Sequence, residues 1–75
     1  MSNAEFLGRI THDAAIFGGK AIIRGRRLAV EHVTQMLAAG SSEEDILAGF
    51  AWLDADDIRA CVLYNKQNSD TKGNL

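Results

Sequence analysis

A chain of 75 residues is one small domain that buries only about 60% of the surface its unfolded form exposes, which excludes a two-domain enzyme. Hydrophobic residues at 47% and charged residues at 24% make it a globular domain and exclude a disordered or fibrous chain. The formal net charge of -2 conceals an asymmetry: Arg9, Lys20, Arg24, Arg26 and Arg27 outnumber Glu5 and Asp13 in residues 1–30, while residues 31–75 carry eight carboxylates against Arg59, Lys66 and Lys72, so a basic contact surface belongs to the first part and an acidic, solvated one to the second.

In chain order, residues 1–8 read as an N-terminal segment before the domain. Ser2-Asn3-Ala4 looks like the remnant of a cleaved tag, and Glu5 stands where a secretory signal needs positive charge, with no apolar stretch behind it. Phe6, Leu7 and Ile10 are apolar without helical spacing, which gives a short strand near residues 7–11, and Gly18-Gly19 then interrupts the chain. Two β-rich runs follow at 21–24 and 27–30, separated by Gly25-Arg26, a pattern that suits a two-residue hairpin with Gly25 at positive φ. Arg24, Arg26 and Arg27 gather at its tip, and three guanidiniums within four residues are more than packing requires.

From Val30 the period changes to that of a helix. Val30, Val33, Met36 and Leu37 share one face of a first helix over 31–39, and Gly40 stands at its C-terminal cap. Ser41 with Glu44 offers a capping box for a second helix that carries Ile46, Leu47 and Phe50 inward. Asp54 caps a third helix over 55–68, with Asp57 three residues on and Ile58, Cys61 and Val62 on its apolar face. The polar tail 69–75 is expected to fray, leaving one domain over 9–68. The fold class is mainly α: a short N-terminal β-hairpin element followed by a three-helix, helix-turn-helix-like core.

The single cysteine, Cys61, permits no internal disulfide, and no C-x-x-C pair is present to hold zinc. Burial set against chain entropy nearly cancels at this length, so a second chain is the expected further source of stability, most simply in a homodimer. No apolar run approaches the roughly 18 residues of a membrane span. A cytoplasmic location is the expectation, with no membrane partner.

The stretch from Arg9-Ile10-Thr11 through Gly18-Gly19-Lys20-Ala21-Ile22-Ile23-Arg24-Gly25-Arg26-Arg27-Leu28-Ala29-Val30 to Ala39-Gly40-Ser41-Ser42-Glu43-Glu44-Asp45-Ile46-Leu47 resembles family 433 of the domains of unknown function. That family's pattern runs GGKP-IRGTR-PV, then G-S-EEIL, then an aromatic-proline pair and an EDI segment before a last helix. The resemblance covers residues 9–65 and implies a homeodomain-like three-helix fold. Members resemble antitoxin partners of PIN-like ribonuclease toxins, next to whose genes they often occur. Ala21 and Ala29 depart from the family's prolines, Arg26 from its threonine, and Phe50-Ala51 from its aromatic-proline pair. The turns are therefore looser and the hairpin gains an arginine.

Nothing in the sequence points to catalysis. His12-Asp13, His32 and Cys61 lack partners at a spacing that nucleophilic or acid–base chemistry needs. Cys61 reads as a small buried hydrophobe and the two histidines as surface or capping residues. Gly18-Gly19-Lys20 is too short to cradle a phosphate. No enzyme, no cofactor and no metal are expected.

A helix-turn-helix protein reads DNA with the leading residues of its second helix, here Asp54, Asp56 and Asp57, whose charge opposes phosphate. Those carboxylates, and Glu43, Glu44 and Asp45 before them, read better as helix caps. The candidate site for a protein or nucleic-acid partner is Arg24, Arg26 and Arg27, with Lys20 and Arg9 beside them. Pairing of Arg24 and Arg27 with carboxylates inside the domain or its dimer is the competing role. Phe50 and Trp52 are a second candidate interface, or else core. The functional expectation is an antitoxin-like module that sequesters a PIN-like ribonuclease, with a part in regulating transcription. A DNA-binding regulator without a toxin and an orphan oligomeric structural module are the alternatives.

Overall fold

Helix formation begins earlier than the apolar spacing indicates. In the computed structural model, which describes residues 2–73 and side chains through Asn68, the first element is a helix, α1 (Asn3–Leu7). Its cause is local: the Ser2 hydroxyl accepts from the Glu5 amide at 3.2 Å while the Glu5 carboxylate accepts from the Ser2 amide at 3.3 Å, a reciprocal capping box. Helix α1 packs against the last helix, where the Arg59 guanidinium lies 5.9 Å from the Phe6 ring.

Two strands follow. β1 (Ile10–His12) pairs antiparallel with β2 (Ala21–Ile23), Thr11 opposite Ile22. The first strand thus starts later than the expected 7–11. The second β-rich run, 27–30, does not form a strand and touches β2 only through an isolated bridge between Ile22 and Ala29. The reason is space: a tight turn occupies 23–26, with Arg24 at φ 48°, Gly25 at φ 69° and the Arg26 amide donating to the Ile23 carbonyl at 2.9 Å. Val30 already opens the next helix, α2 (Val30–Ala38). Positive φ at both central positions is the type I′ signature, and glycine at the second removes half of its steric cost.

Helix α2 closes in a Schellman motif: the Gly40 amide donates to the Leu37 carbonyl at 3.1 Å and the Ser41 amide to the Met36 carbonyl at 3.0 Å. That motif uses the Ser41 backbone, so the expected Ser41–Glu44 capping box is displaced by one residue. Ser42 caps α3 (Glu43–Gly49), its hydroxyl accepting from the Asp45 amide at 3.1 Å and its amide donating to the Asp45 carboxylate at 3.3 Å. Helix α4 (Ala55–Gly73) begins at Asp54 as the sequence indicates and runs past the expected end at 68. The frayed tail expected over 69–75 concerns side chains, and for 74 and 75 also backbone, outside the described residues. Among the described residues the protein is mainly helical, with four α-helices and one two-stranded antiparallel hairpin. No helix among the described residues is long and apolar enough to cross a membrane.

The core is formed by Ile23, Leu28, Val30, Val33, Ile46, Leu53, Ile58 and Cys61. Met36, Leu47, Phe50 and Trp52 pack against it half-buried. Val62, assigned from sequence to the inner face of the last helix, is 47% exposed. The inward stripe of α4 is instead Asp57, Ile58, Cys61 and Tyr64, at helical spacings of one, four and seven, which turns Val62 to solvent. The stripe was hard to see because its first member is a carboxylate.

Candidate functional site

Asp57 is fully buried at the start of α4 and accepts four hydrogen bonds. Arg24 grips it with both ends of its fork, Nε at 3.0 Å from Oδ1 and Nη2 at 2.7 Å from Oδ2. Arg9 Nη1 donates to Oδ1 at 2.9 Å, and the Asp54 amide donates to Oδ2 at 3.1 Å. Asp54 completes the capping box by accepting from the Asp57 amide at 2.9 Å, and it meets Arg9 Nη1 at 3.1 Å. Asp56 lies 3.8 Å from Arg9 Nη2. A buried carboxylate with every lone pair engaged is the condition under which a buried ion pair is tolerated. Its effect is mechanical: residues on both sides of the hairpin are clamped to the N-terminus of α4.

The charges respond to one another. The hydrogen bond that Arg9 donates to Asp57 holds its guanidinium more firmly protonated than usual, against the effect of burial. Burial opposes ionisation of Asp54, but the Asp57 amide and Arg9 outweigh it and hold its carboxyl below the ordinary range. A carboxyl lowered in the folded state contributes stability that is present above its unfolded pKa and lost as pH falls through the folded one. Acid titration followed by circular dichroism should therefore show an Asp54-dependent loss that begins near the ordinary carboxyl pKa and continues below it. In Asp54→Ala that component should be missing. Burial, aided by the Asp57 charge, pushes the Cys61 thiol up to about 12, so it is inert at neutral pH.

The five candidate cations are thus not one patch. Arg9 and Arg24 are engaged by the cluster, which for Arg24 is the competing role of pairing inside the domain. Lys20 pairs with Glu31 at 2.7 Å between exposed side chains, an arrangement worth little in water. Arg26 and Arg27 have no carboxylate partner among the described residues, and both are exposed. Arg26 lies 4.8 Å from the centre of the Trp52 ring, with Arg24 at 5.5 Å from the same ring, and Arg24 Nη2 also donates to the Trp52 carbonyl at 2.7 Å. Trp52 meets Phe50 edge to face at 6.4 Å. Both aromatics thus pack half-buried against the core, and the Trp52 ring also lies beneath Arg24 and Arg26.

Two further features lie beside this site, the first in line with the reading of His12 as a surface or capping residue. His12 is exposed, and its Nδ1 lies 3.0 Å from the Gly19 carbonyl, a contact that requires the proton on Nδ1 and ties β1 to the following turn. Phe17, in a short 3-10 turn (Phe17–Gly19), is 49% exposed at φ 49° and lines a groove with Arg27, His32 and Phe50. Positive φ at an aromatic leaves no composition signal.

Residues 10–65 match the model of the family described as Protein of unknown function (DUF433). The chain belongs to the DUF433 family. A relative of this DUF433 protein is the Uncharacterized protein y4eO of Sinorhizobium fredii, 37% identical over 59 residues. The match covers 79% of this chain but only 27% of that relative, so the chain spans about a quarter of the relative's length. No solved structure matches the chain. The ion cluster lies within the matched region apart from Arg9, which immediately precedes it.

Proposed function

We propose that this DUF433 protein is an antitoxin-like binding module, not an enzyme, that sequesters a PIN-like ribonuclease. The observation that carries the reading is the presentation of Arg26 and Arg27. Both are exposed and lack a carboxylate partner among the described residues, on a turn whose neighbour Arg24 is locked to buried Asp57. Ordering such a side chain beforehand lowers the entropy lost on binding. A ribonuclease of the PIN-like kind holds a divalent metal in a cluster of carboxylates, and guanidiniums pair with carboxylates in forked geometry. The y4eO relative, in which the match occupies 27% of the length, also fits a module that works beside further polypeptide.

Helices α2, α3 and α4 would form the helix-turn-helix-like core, and a homodimer would supply the burial that one short chain lacks. A role in transcription would then use Arg26 and Arg27, because the leading carboxylates of α4 are turned toward Arg9 and Arg24 and would oppose phosphate.

The test is to express the tagged protein together with the product of its neighbouring reading frame, and to assay both copurification and RNA cleavage. A complex in which cleavage is suppressed is the expected result. Retardation of the protein's own promoter DNA without a copurifying nuclease would establish the regulator instead, and neither activity would leave a structural module.

A further inference from the structure

A hollow of about 390 Å³ opens between the 17–19 turn, the first half of α2 and Phe50. Phe17, Leu28 and Phe50 give it apolar walls, while Arg27, His32 and Gln35 bring polar groups to its edge. Phe17 is conspicuous on two counts. It is 49% exposed, and it sits at φ 49°, a backbone region that bulky side chains seldom occupy. Such strain persists only where surrounding contacts fix it, here the Gly19 carbonyl held by His12 and the Gly19 amide donating to Ile16 at 3.1 Å, and residues of this kind concentrate at ligand clamps.

Charge decides what the groove takes. Lys20 is balanced by Glu31 at its rim, which leaves Arg27 as the cation without a carboxylate partner among the described residues. One guanidinium with a donor-capable imidazole and amide suits a carboxylate. A phosphate backbone needs a track of cations, and Arg27 alone is not one. We propose that this groove docks an extended acidic segment of a partner protein, one apolar side chain seated between Phe17 and Phe50 and its flanking carboxylates reaching Arg27 and His32. The proposal rests on the partner being a protein, as in the reading above, and adds which segment is gripped and where.

The probe is a hexapeptide with leucine and phenylalanine at its centre and two acidic residues on each side, titrated into the isotopically labelled full chain and followed by amide chemical shifts. Saturable shifts at Phe17, Arg27, His32 and Gln35 are expected. Phe17→Ser and Arg27→Glu should each weaken binding by about tenfold or more with the rest of the spectrum unchanged. Both positions are exposed, so either variant serves if the other misfolds. A lysine-flanked version of the peptide should not bind. The proposal is overturned if the acidic peptide gives no saturable shift at millimolar concentration or shifts residues outside the groove. It is equally overturned if the lysine peptide or a short thymidine oligonucleotide occupies the groove as tightly. Failure here with a nuclease still copurifying would remove the groove and leave the partner reading intact.

Discussion

Asp57→Ala should destabilise the protein by about 3 kcal/mol, more than any change in its exposed charges. Removing one partner of a buried ion pair costs roughly 3–5 kcal/mol. The lower end applies because the side chains left behind, Arg9 at 22% and Arg24 at 38% exposure, can still reach water. The half of the capping box that Asp57 supplies, by accepting from the Asp54 amide, is lost as well and acts in the same direction. A chain of 75 residues has roughly 4–11 kcal/mol in all, so a large part of the protein would be unfolded at modest temperature. At about 4–8 °C per kcal/mol the melting temperature should fall by roughly 12–24 °C. Asp57→Asn, which keeps the shape but not the charge, should fall between. Adding Arg24→Ala to Asp57→Ala should cost far less than Arg24→Ala alone, since the two act as a unit. Additive losses would show that the pair does not hold the hairpin to α4.

The second large effect is in the core. Ile58, 2% exposed and next in sequence to Asp57, packs with Ile23, Val33 and Ile46, and Ile58→Ala should cost on the order of 2–5 kcal/mol through lost burial and the cavity left behind. Val62→Ala, four residues further along α4 at 47% exposure, should change stability by less than about 0.5 kcal/mol. Urea unfolding of the two variants, with unchanged slope, checks the helix register directly. Equal losses would mean that α4 is rotated.

The two variants also mark where the sequence was legible. Helix periodicity placed α2 and α3 to within a residue or two, and the Asp54 cap located the start of α4, because caps and apolar spacing are local signals. The motif spanning Lys20 to Val30 identified the family. What stayed hidden was the pairing of Arg24 with Asp57, which are 33 positions apart. Each had an adequate local reading, Arg24 as part of a basic tip and Asp57 as a helix cap, and only the fold brings them to 2.7 Å. A charged residue on the inward face of α4 also misdirected the apolar stripe toward Val62. Helix α1 was missed for a different reason: Ser2 and Glu5 spelled a capping box, but the helix they start has only five residues and no apolar period to announce it. Within the candidate site, Arg26 and Arg27 stand exposed without a carboxylate partner among the described residues, while Arg9, Lys20 and Arg24 pair with carboxylates inside the chain.

On the proposed reading, Arg26 and Arg27, on the turn whose Arg24 is locked to Asp57, are what an acidic protein partner meets. The measurement that tests it is the affinity of the purified product of the neighbouring reading frame, proposed to be a nuclease, for three forms of this protein: wild type, Arg26→Ala with Arg27→Ala, and Asp54→Ala, by titration calorimetry at two salt concentrations. Buried charge pairs at interfaces cost about 2–5 kcal/mol when truncated, so the double variant should lose roughly a hundredfold or more in affinity, along with most of the salt dependence, at unchanged helical content. Asp54→Ala should bind like the wild type. A double variant that binds this partner as tightly as the wild type would contradict the proposed role of Arg26 and Arg27.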